Sequence, residues 1–193
     1  MKIEKSRLEA FSDGVIAIII TITVLELKVP QGANPSALRS VAPVFLSYLL
    51  SFIFLGIYWT NHHHLFMAVN KVNGLVLWAN LHLLFWLSLT PFATSWMGEN
   101  SFSALPVAVY GSVLLLTGFA YFILERILVA LHGEDSPLAI AVGQEIKGSI
   151  SLVAYLVAIP LAFLNSSVSL IVYFLIAAMW IIPDPRIEKV LTG

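Results

Sequence analysis

Few side chains in this chain could do chemistry. Asp13 stands beside Ser12 at the start of a long apolar run, and three consecutive histidines occupy positions 62–64. Asn80 and His82 interrupt another apolar run. Such groups in apolar surroundings can relay a proton, pair with a cation or hydrogen-bond a neighbouring helix. The spacing of these residues limits which of these chemistries they can perform.

The histidine triplet invites a metal interpretation, but its spacing argues against one. Consecutive helical residues point about 100° apart, so three in a row do not converge on one ion. A helical zinc pair has two histidines four residues apart, as in H-E-x-x-H. We predict no metal site; instead, one of the three histidines hydrogen-bonds inside the helix bundle and the others meet lipid headgroups or water. Asn80 and His82 are predicted to be hydrogen-bond partners between helices.

Other catalytic patterns are missing from the sequence. The chain has no cysteine, which excludes thiolate catalysis and cysteine-bound metal centres. It also has no glycine-rich phosphate loop and no G-x-S-x-G elbow. We expect neither an enzyme nor a cofactor.

The composition identifies the class of protein that must position these groups. Of 193 residues, 59% are hydrophobic and 11% are charged, against about 25% charged in average soluble domains. The mean hydropathy is +0.92. These values predict an integral membrane protein surrounded by lipid. A net charge of -1 gives no field that would recruit nucleic acid.

The apolar runs predict an all-α protein with six transmembrane helices. A spanning helix needs roughly 20 mostly apolar residues. Together the six runs leave no room for a soluble domain, so residues 1–193 are predicted to form one six-span domain. The predicted spans cover about residues 11–29, 38–67, 74–97, 105–131, 144–164 and 168–182.

The basic residues predict the orientation of the chain. Cytoplasmic loops carry an excess of lysine and arginine. With six spans, one side of the membrane holds only Lys28 and Arg39. We therefore predict a multi-pass protein of the cell membrane with both termini in the cytoplasm. The other eight of the ten basic residues share that cytoplasmic side: Lys2, Lys5, Arg7, Lys71, Arg126, Lys147, Arg186 and Lys189.

The first span carries a narrow apolar stripe. At 100° per residue, Ile18, Ile22 and Leu25 fall within about 60° of one another, with Thr21 at the edge. Asp13 lies about 140° from Ile18. On spacing alone, the stripe is a lipid-facing or core-packing surface, and Asp13 is a buried acid paired with Arg7 or a histidine.

The start of the first span carries a resemblance to a known family. Arg7, Phe11, Ser12, Asp13 and Gly14 form the pattern R-x-x-x-F-S-D-G, which closely resembles prokaryotic members of the transmembrane protein 175 family. These proteins are relatives of the lysosomal and endosomal potassium channel of animals. Two further stretches are similar to the family, namely residues 59–66 (WTNHHHLF) and 89–94 (LTPFAT).

The resemblance implies a homotetrameric, passive potassium-permeable cation channel whose pore is lined by the first helix of each subunit. It makes Ile18 the narrowest point, Ile22 and Leu25 further hydrophobic rings, and Thr21 a residue linked to potassium preference. Potassium ions and membrane lipids are the implied partners. The remaining motif residues are implied to pack and hydrogen-bond the first helix against its neighbours: Arg7, Phe11, Ser12, Asp13 and Gly14.

Two other functions remain open on the residues. A cation- or proton-coupled transporter could use Asp13, Glu145 and the histidines, and a membrane enzyme could be built on the histidine cluster. Against a transporter, residues 40–70, 72–98, 100–124 and 148–183 contain no Asp, Glu, Lys or Arg.

Overall fold

The computed structural model describes residues 4–133, 135–136, 138–139 and 146–181. Every regular element in these ranges is an α-helix, which confirms the predicted all-α class. The helices are, in order, α1 (Lys5–Leu25), α2 (Pro35–Ser40), α3 (Ala42–Met67), α4 (Gly74–Ser88), α5 (Thr90–Glu99), α6 (Ala104–His132), α7 (Ile146–Leu161) and α8 (Ser166–Ile181).

Asparagine and proline fix where several of these helices begin. The Oδ1 atoms of Asn34 and Asn73 accept hydrogen bonds from Ala37 N and Val76 N, each at 2.9 Å, and so cap α2 and α4. Prolines lie in the first turn of α2, α3 and α5, where their missing N–H has no helical partner to lose.

Four segments in the described ranges are long and apolar enough to cross a membrane. They are α1, α3, α6 and the pair α4–α5, which together cover residues 74–99. Helices α7 and α8 are apolar but only 16 residues long each. The predicted ends of the last two spans at residues 144 and 182 lie outside the described ranges, as do Lys2, Glu145, Arg186 and Lys189. The six-span count therefore stays a prediction.

Three predicted span boundaries differ from the observed helices. Helix α1 begins at Lys5 and ends at Leu25, whereas the predicted span ran from 11 to 29. The prediction followed apolar side chains, but helical hydrogen bonds join backbone groups and continue through the polar first turns. The second span is divided at Val41 into α2 and α3, and the third at Leu89 into α4 and α5.

The interior has two packed centres. Near the start of α1, buried side chains of α1, α3, α4 and α6 meet, among them Ile16, Leu83 and Leu124. In the second, α3 and α5–α8 meet around Tyr110 and Tyr173, whose rings lie 6.0 Å apart. Helix α1 contributes only to the first centre, so it is packed on one side only.

Candidate pore-lining surface

Helix α1 has one buried and one uncovered face within a single chain. Ile16 and Ile19 are 1% and 3% exposed, whereas Ile18 and Leu25 are 58% and 79% exposed. Ile22 is also exposed, so the whole apolar stripe (Ile18, Ile22 and Leu25) faces away from its own bundle. The core-packing interpretation of the stripe is therefore wrong, and the stripe faces what surrounds this bundle, which can be lipid, another copy of the chain or water.

Polar groups border the apolar stripe on the same helix. The exposed Thr21 donates its hydroxyl hydrogen to Ile18 O at 2.8 Å, which leaves the lone pairs of Oγ1 as acceptors. One turn further on, Glu26 accepts a hydrogen bond from Ser95 Oγ of α5 at 3.1 Å. The stripe is thus an apolar path with oxygen atoms along its edge.

An open groove of about 680 Å³ runs between α1 and α5. Ile18 and Ile22 line it from α1, and Phe92 and Trp96 line it from α5. Glu26 and Glu99 lie in the same groove, so the apolar path ends at carboxylates. At that end Glu99 forms an ion pair with Lys28, which raises the pKa of Lys28 because the hydrogen bond and the negative charge favour the ammonium form.

Ser12 connects three helices through a buried hydrogen-bond chain. Asn80 Nδ2 of α4 donates to Ser12 Oγ of α1 at 2.8 Å. On the other side of the same amide, Asn80 Oδ1 lies 2.8 Å from His62 Nε2 of α3. Because that oxygen only accepts, Nε2 of His62 must carry the hydrogen. His82, in contrast, accepts from Trp86 Nε1 one turn along α4, so its predicted role between helices is wrong.

Asp13 has a different partner from the one considered on spacing. Its Oδ1 accepts a hydrogen bond from Trp59 Nε1 of α3 at 3.0 Å, and the carboxylate is exposed. Within one chain, Asp13 is therefore exposed and hydrogen-bonded to Trp59, rather than buried against Arg7 or a histidine. Arg7, Phe11 and Gly14 are also exposed within one chain.

Sequence reasoning missed a lysine anchor at the start of α1. Lys5 Nζ donates to Phe66 O at 2.7 Å and to Val69 O at 3.1 Å, at the C-terminal end of α3. It also lies 3.7 Å from Glu9 Oε1. A cation near a helix C-terminus is favoured by the helix dipole, but the residue types alone do not say which helix end Lys5 meets.

The described residues contain no cluster of three His, Cys, Asp or Glu side chains that could hold a metal ion. His62 is buried against Asn80, while the neighbouring His63 is exposed and stacks on Trp59. Consecutive histidines on α3 thus point in different directions, as the helical spacing requires.

Known proteins resemble this chain over nearly its whole length. The family model described as endosomal/lysosomal potassium channel TMEM175, an ion-channel rather than an enzyme family, matches residues 7–91. A potassium channel of Chryseobacterium sp. (strain P1-3) is 54% identical over 185 residues, covering 96% of both chains. A potassium channel of Streptomyces collinus is 32% identical over 187 residues, covering 90% of both chains.

A solved structure has the same fold. The lysosomal potassium-selective channel TMEM175 homolog from Chamaesiphon minutus superposes with a TM-score of 0.80 at 30% sequence identity. The match covers 92% of this chain and 96% of that one.

Proposed function

The chain belongs to the TMEM175 family, and from this premise we propose that it is a passive, potassium-permeable cation channel. In this proposal four copies assemble around an axis in the cell membrane, with both termini in the cytoplasm. The α1 helix of each copy lines the pore, and potassium ions pass without a cofactor.

One face of α1 is buried and the other is exposed, and this observation supports the proposed pore. A helix that only packs inside a bundle would bury isoleucine all round, yet Ile18 is exposed while the adjacent Ile19 is buried. Threonine and glutamate oxygens border the exposed stripe. A surface that faces only lipid gains nothing from carboxylates, whereas a surface that faces a water-filled path does.

The apolar stripe defines the barrier in the proposed pore. Four Ile18 side chains near the axis would strip water from a passing cation and offer no ligand in return, so the ring opposes conduction by dewetting. Thr21 lies about 60° around the helix from Ile18, and its Oγ1 can replace part of the lost water. We expect weaker discrimination between potassium and sodium than a carbonyl-lined filter provides, since few oxygens contribute.

The test replaces Ile18 with asparagine and records currents from the protein reconstituted in a planar bilayer. Amide dipoles wet the constriction, so Ile18→Asn should raise conductance and bring the potassium-to-sodium permeability ratio closer to one. The matched control is Val24→Asn, because Val24 is also an exposed apolar residue of α1 and lies about 120° around the helix. Ile19 is unsuitable, since an amide at that buried position would disrupt the core.

Two results would contradict the proposal. Equal changes in conductance for Ile18→Asn and Val24→Asn, with both assemblies intact, would mean that α1 does not line the pore in this register. Uptake of potassium without discrete current steps at fixed voltage would favour the cation- or proton-coupled transporter instead.

A further inference from the structure

Glu26 is the first charged side chain that follows the apolar stripe along the chain. It comes directly after Leu25, the last residue of α1, and its side chain is half-buried. The groove that Ile18 and Ile22 line also includes Glu26. The carboxylate therefore lies at one end of the apolar path, on the helix that lines the proposed pore.

A hydrogen bond between two helices fixes the position of this carboxylate. Ser95 Oγ of α5 donates to Glu26 Oε2 at 3.1 Å, and Ser95 is itself half-buried. A serine hydroxyl is neutral, so it orients the carboxylate without cancelling its negative charge. The charge of Glu26 is therefore held at a defined place relative to Ile18 and Ile22.

The neighbouring ion pair does not cancel the charge of Glu26. Lys28 pairs with Glu99, and these two side chains together carry no net charge. The two grooves that Glu26 lines contain two carboxylates and one ammonium among their described residues, which leaves a net charge of -1 for each copy of the chain. Arg39 of α2 is exposed but lines neither groove.

We propose that Glu26 determines the selectivity of the channel for cations over anions and sets its conductance in dilute salt. The inference rests on the proposed function, because only several copies around one axis place a ring of these carboxylates at a pore mouth. Such a ring attracts cations and repels anions, so it raises the local concentration of potassium. Discrimination between potassium and sodium stays with Ile18 and Thr21, since the two ions carry the same charge.

Salt separates this electrostatic role from a purely structural one. Glu26 also joins α1 to α5 through Ser95, and a variant that loses this bond could conduct differently for that reason alone. Glutamine keeps an oxygen that accepts from Ser95 but removes the charge. The Debye length falls from about 30 Å at 0.01 M salt to about 3 Å at 1 M, so an effect of charge must disappear in concentrated salt, whereas a structural effect must not.

The experiment records single-channel currents from the full chain reconstituted in a planar bilayer. With about 0.01 M potassium chloride on both sides, the conductance of Glu26→Gln should be at least about twofold lower than that of the unmodified chain, and at about 1 M the two should agree. In a potassium chloride gradient, Glu26→Gln should show a lower potassium-to-chloride permeability ratio and an unchanged potassium-to-sodium ratio. Glu26→Asp keeps the charge and should restore both the conductance and the selectivity.

A second variant tests the same charge in the opposite direction, and it keeps the test decisive if Glu26→Gln does not fold. The side chain of Lys28 is 77% exposed, so Lys28→Gln should fold. Loss of its ammonium changes the net charge at this end from -1 to -2 for each copy. The conductance at about 0.01 M potassium chloride should therefore rise, and at about 1 M it should not change.

Glu9→Gln is the matched control. Glu9 is also a half-buried carboxylate of α1, but it lies near the other end of the helix and about 180° around it from Ile18, so the variant should conduct as the unmodified chain does. The role of Glu26 is overturned, with the channel itself intact, if Glu26→Gln conducts normally in dilute salt, if its loss persists at about 1 M, if Lys28→Gln does not raise the conductance, or if Glu9→Gln causes an equal loss. An unmodified chain without discrete current steps would overturn both proposals.

Discussion

At the scale of single residues, the polar groups inside the bundle form complementary pairs. Ser12 donates its hydroxyl hydrogen to Leu8 O at 2.9 Å and accepts from Asn80, and Asn80 accepts from His62. In the part of the chain that the structure describes, no buried side-chain nitrogen or oxygen lacks a partner. In this series of hydrogen bonds each donor faces one acceptor. The bonds therefore fix how α1, α3 and α4 pack against one another.

This chain of hydrogen bonds predicts an energetic coupling between Ser12 and Asn80. In a double-mutant cycle, Ser12→Ala and Asn80→Ala should be non-additive by about 0.6–1.7 kcal/mol, from the average to the maximum measured for hydrogen bonds between membrane helices. The measurement is the free energy of unfolding in detergent for both single variants and the double variant.

A control pair shows whether that coupling is specific. Ser88 lies on α4 as Asn80 does, but its hydroxyl donates to Phe85 O within the helix. Ser12→Ala combined with Ser88→Ala should be additive. Coupling of the same size in both cycles would contradict the interhelical bond.

Some residue contacts could be predicted from the sequence and others could not. Helical geometry correctly separates the histidines, and polar residues such as Asn80 in an apolar run must find a partner. The bond from Trp59 to Asp13 and the Lys5 contacts join residues 46 to 64 positions apart, and local spacing carries no information about such pairs.

At the scale of helices, the break at Leu89 is the feature that the length of the apolar run did not predict. Thr90 and Pro91 begin α5, so the predicted third span is divided into two helices there. Proline favours the first turn of a helix and restricts the backbone conformation of the residue before it. Residues 89–91 therefore contained the signal for a break. The break lets α5 place Ser95 against Glu26 of α1.

Because α5 lies close to α3, we predict that Gly98 cannot be replaced by a larger residue without loss of stability. A Cβ added at Gly98 would lie 2.4 Å from Ser47 Oγ and 2.7 Å from Val44 Cα, and the second atom belongs to the backbone. Gly98→Ala should therefore destabilise the chain by about 1–3 kcal/mol, the usual cost of overpacking. Thermal unfolding in detergent measures the loss.

Gly56 of α3 is the control for that substitution. An added Cβ at Gly56 meets no atom within 4 Å, so Gly56→Ala should be neutral or stabilising by up to about 1 kcal/mol through helix propensity. A Gly98→Ala variant as stable as Gly56→Ala would show that α3 and α5 do not approach this closely.

At the scale of the whole molecule, basic residues lie at both ends of the helix bundle. Lys5 meets the end of α3, and His132 Nε2 at the end of α6 accepts from the backbone N–H groups of Asn70 and Lys71, both at 3.2 Å. Lys28 instead meets Glu99 at the far end of α1. Lys5 and Lys71 therefore lie at one end of the bundle and Lys28 at the other, and which end faces the cytoplasm stays a prediction from the charge asymmetry of the sequence.

The absence of cysteine makes that orientation directly measurable, since the unmodified chain gives no background with a thiol reagent. Ser6 and Ala33 are exposed at opposite ends of α1, and Asn70 is exposed at the same end as Ser6. A membrane-impermeant maleimide added to intact cells should label Ala33→Cys only. In inverted membrane vesicles the same reagent should label Ser6→Cys and Asn70→Cys.

The pattern of labelling distinguishes a reversed orientation of the chain from an α1 helix that does not cross the membrane. Ala33→Cys labelled only in inverted vesicles, with Ser6→Cys and Asn70→Cys labelled only in intact cells, would mean that the orientation is reversed while α1 and α3 still span. Labelling of Ser6→Cys and Ala33→Cys from the same side would mean that α1 does not cross the membrane. A helix that does not cross cannot line a continuous pore, so this second result would also remove the proposed channel path along Ile18, Ile22 and Leu25.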